Sequence, residues 1–117
     1  MYTSNMDNET KWHTQLSKGL LEVAIMTLLN KKRMYGYEIT KQIQGGGTLA
    51  ISNGSIYPIL KRLEVQGWIT SHQEEHEGRL RKYYTLTKAG IIQLEARLAY
   101  VDELNQLLDQ LRRGSSL

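Results

Sequence analysis

The chain has 117 residues, 40% of them hydrophobic and 23% charged, which is typical of one folded domain with an additional helix. It contains no cysteine and no apolar run long enough to span a bilayer, and its N-terminus lacks the apolar stretch of a signal peptide, so disulfides and a membrane partner are not expected and the default location is cytoplasmic. The net charge of +3 is only a weak indication of a nucleic-acid partner.

The N-terminal third predicts an arm and two helices. Residues 1–10 are polar, and we expect them to form a flexible arm. A helix is predicted over residues 11–30, and its second half is apolar on nearly every side, as in a helix at the centre of a core. A shorter helix is predicted over residues 35–44 and should end at the three glycines 45–47, because glycine destabilises a helix.

Residues 51–67 predict a third helix with two different faces. One face is an apolar stripe at helical spacing, made of Ile56, Ile59, Leu60 and Leu63. The other sides carry Asn53, Tyr57 and Lys61. A helix anchored by one face and polar on the other suits a DNA groove, although any amphipathic helix of a small domain has the same pattern.

The start of this third helix has two alternatives. Ser52 is the expected N-cap, because a serine side chain can accept a hydrogen bond from the first turn. Pro58 removes a backbone donor early in the helix. Either a local kink or a start nearer Ser55 would accommodate it.

The chain then predicts a hairpin and a last helix. Strands are expected over residues 69–76 and 81–86, with residues 77–80 as the turn between them. Positive charge is concentrated at this turn, on Arg79, Arg81 and Lys82. The last helix should begin after Thr87, a good N-cap, and run to about residue 111.

The last helix carries a long apolar stripe at a 3-4 spacing. The stripe and its neighbours are Ile91, Leu94, Leu98, Val101, Leu104, Leu107, Leu108 and Leu111, with Asn105 in the remaining slot. One interpretation is that the helix folds back on the first helix. The sharper hypothesis is that it packs on a second copy of the chain, because a small domain has too little surface to cover the whole stripe.

Three helices followed by a hairpin are the elements of a winged helix-turn-helix. The predicted fold is therefore mainly α with a β-hairpin wing, followed by a long C-terminal helix. In such a fold the third helix enters the major groove, and the charged wing tip lies near the neighbouring backbone or minor groove. The alternative is that the hairpin charges only keep a sheet edge soluble.

Three ordered stretches make the sequence resemble PadR-type transcriptional regulators. They are residues 34–39 (Met-Tyr-Gly-Tyr-Glu-Ile), residues 52–64 (Ser-Asn-Gly-Ser-Ile-Tyr-Pro-Ile-Leu-Lys-Arg-Leu-Glu) and residues 78–87 (Gly-Arg-Leu-Arg-Lys-Tyr-Tyr-Thr-Leu-Thr). The resemblance extends over residues 17–111 and is closest to the short subfamily. Together with the polar arm expected over residues 1–10, it divides the chain into a DNA-binding domain over residues 11–86 and a dimerisation helix over residues 87–113.

The resemblance implies a homodimeric repressor that binds a double-stranded DNA operator and is often released by a small molecule. The residues it assigns to DNA contacts are Tyr37, Ser52, Asn53, Ser55, Tyr57, Lys61, Arg79, Arg81 and Lys82. The chain departs from the family where Ser55-Ile56 replace the usual Thr-Leu. It departs again in the wing, where residues 78–81 lack the common second glycine or proline, so the resemblance leaves the path of the wing open.

In short relatives of this kind, flat apolar effectors bind between paired C-terminal helices. The corresponding candidates are Trp12, Leu16, Tyr100 and Leu104. Drug-binding relatives have a tryptophan in the last helix, whereas this chain has Tyr100 there, which argues against binding of many drugs. An aromatic residue at such a position is more often part of simple core packing.

The sequence does not indicate an enzyme, a cofactor or a metal site. It has no nucleophile-elbow, Walker or dinucleotide motif. His72 and His76 would lie about 13 Å apart on one strand, too far to share a metal ion. The alternative to a DNA-binding regulator is a winged-helix protein-interaction module that does not bind DNA.

Overall fold

The computed structural model describes residues 2–114, and side chains from residue 8 onward. This part of the chain contains four helices and one three-stranded antiparallel sheet, which confirms the predicted mainly helical fold with a hairpin wing. The elements in chain order are α1 (Tyr2–Lys31), β1 (Met34–Tyr35), α2 (Gly36–Gly46), α3 (Ile56–Val65), β2 (Ile69–His76), β3 (Arg79–Leu86) and α4 (Lys88–Arg113).

Helix α1 begins at Tyr2 rather than near Lys11, so the expected arm over residues 1–10 is helical from its second residue. The expected start was wrong because low hydrophobicity does not prevent a helix. The segment has no proline, and its first glycine is Gly19, so nothing in it interrupts the backbone hydrogen bonds. Residue 1 of the expected arm lies outside the described residues.

The second half of α1 forms the centre of the core, as its apolar composition predicted. Ile25 and Met26 are fully buried, and Leu29 is nearly so. Around them lie residues from every other helix and from the sheet, including Ile39, Ile56, Leu60, Leu63, Ile69, Tyr84 and Leu94. Helix α1 therefore fixes the positions of α2, α3, the sheet and the start of α4.

Helix α3 starts at Ile56, so the alternative start near Ser55 is confirmed and Ser52 is not the N-cap. The two serines instead close the preceding turn: the Ser55 hydroxyl donates to the Ser52 carbonyl at 2.8 Å and accepts its N–H at 3.2 Å. Pro58 is the third residue of α3. Its missing N–H costs no helical hydrogen bond, because the first turn has no intrahelical acceptor.

Helix α2 runs through Gly46, two residues further than predicted, and ends at Gly47, whose φ is +73°. A left-handed residue directly after a helix is a common C-cap that glycine adopts at little cost. The glycine run therefore does end α2, but through its third glycine rather than its first.

The sheet has the strand order β1-β3-β2, and β1 was not predicted. Met34 pairs with Tyr84 and Tyr35 with Tyr83. The hairpin turn contains only Glu77 and Gly78, with φ values of +52° and +77°, so the expected four-residue turn is corrected to a two-residue type I′ turn. The wing strands thus extend to the paired residues His76 and Arg79.

Helix α4 begins after Thr87, as predicted. The Thr87 hydroxyl accepts the Gly90 N–H at 3.0 Å and donates to the Gly67 carbonyl at 2.7 Å. The first half of α4 packs back on α1, with Leu94 2% exposed, whereas the part beyond Val101 is exposed in the single chain. No helix within the described residues is both long and apolar enough to cross a membrane.

A buried carboxylate joins α1 to both α3 and α4. The Glu22 side chain is only 14% exposed. Its Oε2 accepts hydrogen bonds from Arg62 Nε at 2.9 Å and Nη2 at 2.6 Å, and its Oε1 accepts from Arg97 Nη1 at 2.6 Å. Burial by itself raises the pKa of Glu22, but the hydrogen bonds and charges of Arg97 and Arg62 outweigh it and hold the pKa below its ordinary value of 4.5.

Gly90→Ala should destabilise the protein. A Cβ at this position would lie 2.1 Å from the Trp68 carbonyl oxygen, a backbone atom that cannot move without shifting β2 or α4. We expect a loss of about 1–3 kcal/mol in the free energy of unfolding, measured by urea denaturation. The matched control is Gly45→Ala, also within a helix but with open space around the new Cβ, which should be neutral or stabilising. Equal effects of the two changes would contradict the packing argument.

Glu22→Gln should lower stability at pH 7 by about 1–3 kcal/mol, because two charge-assisted interactions lose their anion. A carboxylate with a lowered pKa stabilises the fold above the pKa of the unfolded chain, and this contribution disappears as the pH falls through the pKa of the folded state. The difference between wild type and variant should therefore shrink below pH 4.5. Urea denaturation at pH 7 and at about pH 3 measures this. Glu103→Gln, an exposed carboxylate of α4, is the control and should show no such difference.

Candidate nucleic-acid interface

A cleft of about 500 Å³ lies between the start of α2, the exposed side of α3 and the wing. It brings together five of the nine residues that the sequence assigned to DNA contacts: Tyr37, Tyr57, Lys61, Arg81 and Lys82. These residues are separated by up to 45 positions in the chain, and the fold places them around one concavity. No group of acidic, histidine or cysteine side chains in the described residues has the arrangement of a metal site.

The start of α2 approaches α3 closely because Gly36 has no side chain. A Cβ on Gly36 would lie 2.7 Å from Tyr57 Cε1 and 2.9 Å from its hydroxyl oxygen. The Tyr57 ring therefore covers the first turn of α2, whose backbone N–H groups have no partner within the helix. A helix N-terminus carries partial positive charge that suits an anion, although the Glu38 carboxylate of the same turn already accepts the Tyr35 N–H at 3.2 Å.

Two tyrosines and one lysine line the helical side of the cleft, and a second lysine lies beside it. Tyr57 and Tyr37 are 50% and 58% exposed, which is high for aromatic side chains. Lys61 lies one turn after Tyr57 on α3 and is exposed. The Lys41 ammonium lies 5.3 Å from the centre of the Tyr37 ring, so it adds a positive charge close to the predicted set.

The two cationic wing residues point to opposite faces of β3 and are held differently. Arg81 lies on the outer face, with its guanidinium 4.4 Å from the centre of the Tyr35 ring and its Nε buried without an acceptor. Lys82 lies on the face toward α3, with its Nζ 3.9 Å from Glu64 Oε1. Both side chains nevertheless reach the cleft, which lies at the edge of the sheet beside β1.

The sequence did not identify Glu64 and Tyr84 as part of this site. Glu64 accepts a hydrogen bond from the Ser71 hydroxyl at 2.5 Å and places a negative charge at the cleft. The pKa of the Tyr84 phenol is raised, first by burial and then by Glu64 and Tyr57, so the phenol is neutral at pH 7. The spacing of Glu64 from Tyr57 and Lys61 was the one available sequence signal, since residues 57, 61 and 64 share a helix face.

Four other predicted DNA-contact residues lie outside the cleft. Ser52 and Ser55 line a separate groove beside α1 together with Lys18. Asn53 is exposed and accepts a hydrogen bond from Gln44 Nε2 at 3.1 Å. Arg79 is exposed at the wing tip, where it pairs with His76 across the turn. The predicted set is thus divided among the cleft, the start of α3 and the wing tip.

Three of the four predicted effector residues lie at a second groove of about 550 Å³, between α1 and the first two thirds of α4. Leu16, Tyr100 and Leu104 line it, and Glu22 and Arg97 contribute its charged groups. Trp12 does not line the groove but lies one turn before Leu16 on α1 and is 57% exposed. The prediction therefore placed three of its four residues at one concavity.

A known family model matches more than half of the chain. The family model described as the transcriptional regulator PadR-like family matches residues 25–96. A solved PadR-like transcriptional regulator from Bacillus cereus is 31% identical, with a TM-score of 0.77, and the match covers 86% of this chain and 99% of that one. A PadR family regulator from Eggerthella lenta is 27% identical with a TM-score of 0.78, covering 93% and 96%.

Curated relatives give the same family. The transcriptional regulator Rv3488 of Mycobacterium tuberculosis is 34% identical over 71 residues, 61% of this chain and 65% of that protein. The negative transcriptional regulator PadR of Bacillus subtilis is 36% identical over 74 residues, which span 61% of this chain but only 41% of the relative. The family model, the fold and the three sequence stretches agree, and the chain belongs to the PadR-like family of transcriptional regulators.

Proposed function

We propose that this regulator is a sequence-specific DNA-binding repressor that acts as a homodimer on a pseudo-palindromic operator and is released by a small apolar molecule. One observation carries the proposal: the start of α2, the Tyr57–Lys61 side of α3 and the cationic wing residues surround a single cleft. Repression as the direction of control is supported by similarity to a protein named as a negative regulator.

The cleft has the groups needed to hold a DNA phosphate. Lys61 and Arg81 supply positive charge, the Tyr57 hydroxyl is a donor, and the first N–H groups of α2 lie beside them. A phosphate held there would seat α3 in the adjacent major groove. Because Glu64 offsets part of the positive charge, the arrangement of donors rather than net charge would select the phosphate.

The residues outside the cleft take complementary roles in this proposal. The N-terminal end of a recognition helix contacts base edges. Ser52, Asn53 and Ser55 are exposed in the turn just before α3, where they are suited to hydrogen bonding with bases. Arg79, at the tip of the wing, would reach the neighbouring backbone or minor groove. The phosphate contacts would set the register, and the polar start of α3 would read the sequence.

The exposed half of α4 supports the homodimer. Its apolar side chains form a continuous strip at a 3-4 spacing: Tyr100, Leu104, Leu107, Leu108 and Leu111, which are 39–60% exposed. Burying several leucines at about 1.5–3 kcal/mol each would stabilise a dimer. A two-fold dimer would present two α3 helices about 34 Å apart, one turn of DNA.

The groove between α1 and α4 supports ligand response. It is bordered by Leu16, Tyr100 and Leu104, and it adjoins the apolar strip proposed for the dimer. A flat apolar molecule bound there would contact both helices, so it could change how the two subunits are oriented. This would alter the distance between the two α3 helices and weaken operator binding.

Arg81→Ala combined with Lys82→Ala should weaken operator binding at least tenfold, because two phosphate contacts are removed. The dependence of log Kd on log salt concentration should become less steep by about 2, since each phosphate contact contributes roughly 0.9 to that slope. Fluorescence anisotropy on operator DNA at several salt concentrations measures both quantities. The operator itself can be identified by sequencing DNA that co-purifies with the protein.

The single-charge pair Lys61→Ala and Lys88→Ala provides the matched control for this experiment. Both lysines are exposed on helices, but only Lys61 lies at the cleft. Lys61→Ala should weaken binding and Lys88→Ala should not. Unchanged operator affinity in the folded wing variant would contradict the proposed wing contacts. Failure of the wild-type chain to bind any DNA would instead favour a protein-interaction module.

Leu108→Glu should convert the dimer into a monomer, because it places a charge within the exposed apolar strip of α4. Sedimentation at micromolar concentration measures the change. Ile92→Glu is the matched control. Ile92 is 69% exposed on the same helix, but it lies about 100° around the helix axis from the middle of the exposed apolar strip. A wild-type chain that sediments as a monomer would remove the dimer from the proposal.

A further inference from the structure

The Glu22 carboxylate is shared between the helix proposed to read DNA and the helix proposed to form the dimer. One oxygen is bound by Arg62 of α3 and the other by Arg97 of α4. The two arginines are 35 positions apart in the chain, and each ion pair has an N–O distance of 2.6 Å. A single anion on α1 thus restrains both helices.

The Arg97 side of this arrangement lies in the groove between α1 and α4. Glu22 and Arg97 both line the groove, next to Tyr100 and Leu104. The Arg97 guanidinium also lies 4.7 Å from the centre of the Trp68 ring, and Trp68 immediately precedes β2. Any change in the groove that moves Arg97 therefore acts directly on the carboxylate that holds Arg62.

The two arginines share one charge, because each donates to a different oxygen of the same carboxylate. A carboxylate that loses Arg97 keeps its whole charge for Arg62 and is free to reorient toward it. Glu22 is largely shielded from water, so its charge is screened less than that of a surface pair. Arg62 is about half exposed, and within the described part of the chain its guanidinium donates hydrogen bonds to Glu22 alone, so Glu22 determines its orientation. A change in the groove can therefore move α3 through side-chain contacts alone, from Arg97 to Glu22 to Arg62.

We propose that Glu22 is a coupling residue, through which the arrangement of the α1–α4 groove sets the position of the recognition helix α3. The proposal rests on the function proposed above and assigns its signal to three named side chains. An apolar molecule in the groove, or the packing of a second subunit against it, displaces Arg97. Glu22 then re-forms its contacts with Arg62, and the orientation of α3 changes.

The first test observes Arg62 directly and needs no DNA. The Nε–Hε signal of Arg62 is recorded by NMR in the full chain, with Arg97→Met as the perturbation, since methionine keeps an apolar stem over Trp68 but removes the charge. We expect the Arg62 signal to shift and its exchange with water to slow at least twofold. In a Glu22→Gln background, the same Arg97→Met change should leave the Arg62 signal where it was.

The control variant is Arg112→Met, which removes an exposed α4 arginine that does not contact Glu22. It should leave Arg62 unaffected in both backgrounds. If the Arg62 signal does not change on Arg97→Met in the native background, the proposal is overturned. A shift of equal size in the Glu22→Gln background also overturns it, because the effect would then pass by another route. Thermal melts verify that each variant is folded.

The second test connects the coupling to regulation. Arg97→Met should change operator Kd by about 5-fold or more, the lower range of allosteric coupling, although Arg97 lies outside the proposed DNA cleft. The change should disappear in the Glu22→Gln background and persist with Glu22→Asp only in part, because aspartate keeps the charge but is one methylene shorter. An operator affinity that is independent of Arg97 restricts Glu22 to a structural role and overturns the proposal. A chain that binds no DNA would refute the proposed function, while the Arg62 signal would still decide whether the link exists.

Discussion

The rest of the site depends on one constraint, the pairing of the two-residue strand β1 with β3, in which Met34 pairs with Tyr84 and Tyr35 with Tyr83. Tyr35 directly precedes α2, so its pairing with β3 places the first turn of α2 beside the wing. The contact is reinforced by ring packing, because Tyr35 meets Tyr83 edge to face at 5.5 Å and the Arg81 guanidinium lies 4.4 Å from the centre of the Tyr35 ring. Without this short strand, β3 would still be anchored to the core through Tyr84, but its edge beside α2 would be unpaired.

The proposed function requires a cleft that holds an anion in a protein with little net charge. The chain carries only +3 overall, and Glu64 lies among the cationic side chains. The positive groups are brought together by geometry: a helix N-terminus, two lysines and an arginine line one cleft where Gly36 leaves room for the Tyr57 ring. Glu64 holds Lys82 at 3.9 Å, which limits the freedom of that side chain before any phosphate is bound. In the proposed function, this balance would favour a partner that offers phosphates at set positions over one that offers only negative charge.

The apolar residues of helix α4 lie in different environments in its two halves. Its first half completes the core through Leu94, while its second half extends beyond the rest of the domain with exposed leucines. The first interpretation of its stripe is confirmed for the first half of the helix, which folds back on α1. Packing of the exposed strip on a second copy of the chain stays a prediction. Glu22 lies where the first half of α4 meets α1, so the core helix, the helix of the proposed interface and α3 meet at one carboxylate.

The sequence by itself determined the four helices, the two wing strands and the family, because these follow from local periodicity, N-caps and short motifs. It missed β1, since two residues carry no periodicity, and it placed the wing turn two residues too wide because Glu77 in a left-handed conformation cannot be inferred from its residue type. Only the tertiary structure separated Ser52, Asn53 and Ser55 from the tyrosine–lysine cleft, and only it joined Glu22 to arginines 40 and 75 positions away. The reason is physical: hydrogen bonding within a helix or turn depends on neighbours in the chain, whereas the meeting of charges from α1, α3 and α4 depends on how whole elements pack around a shared core.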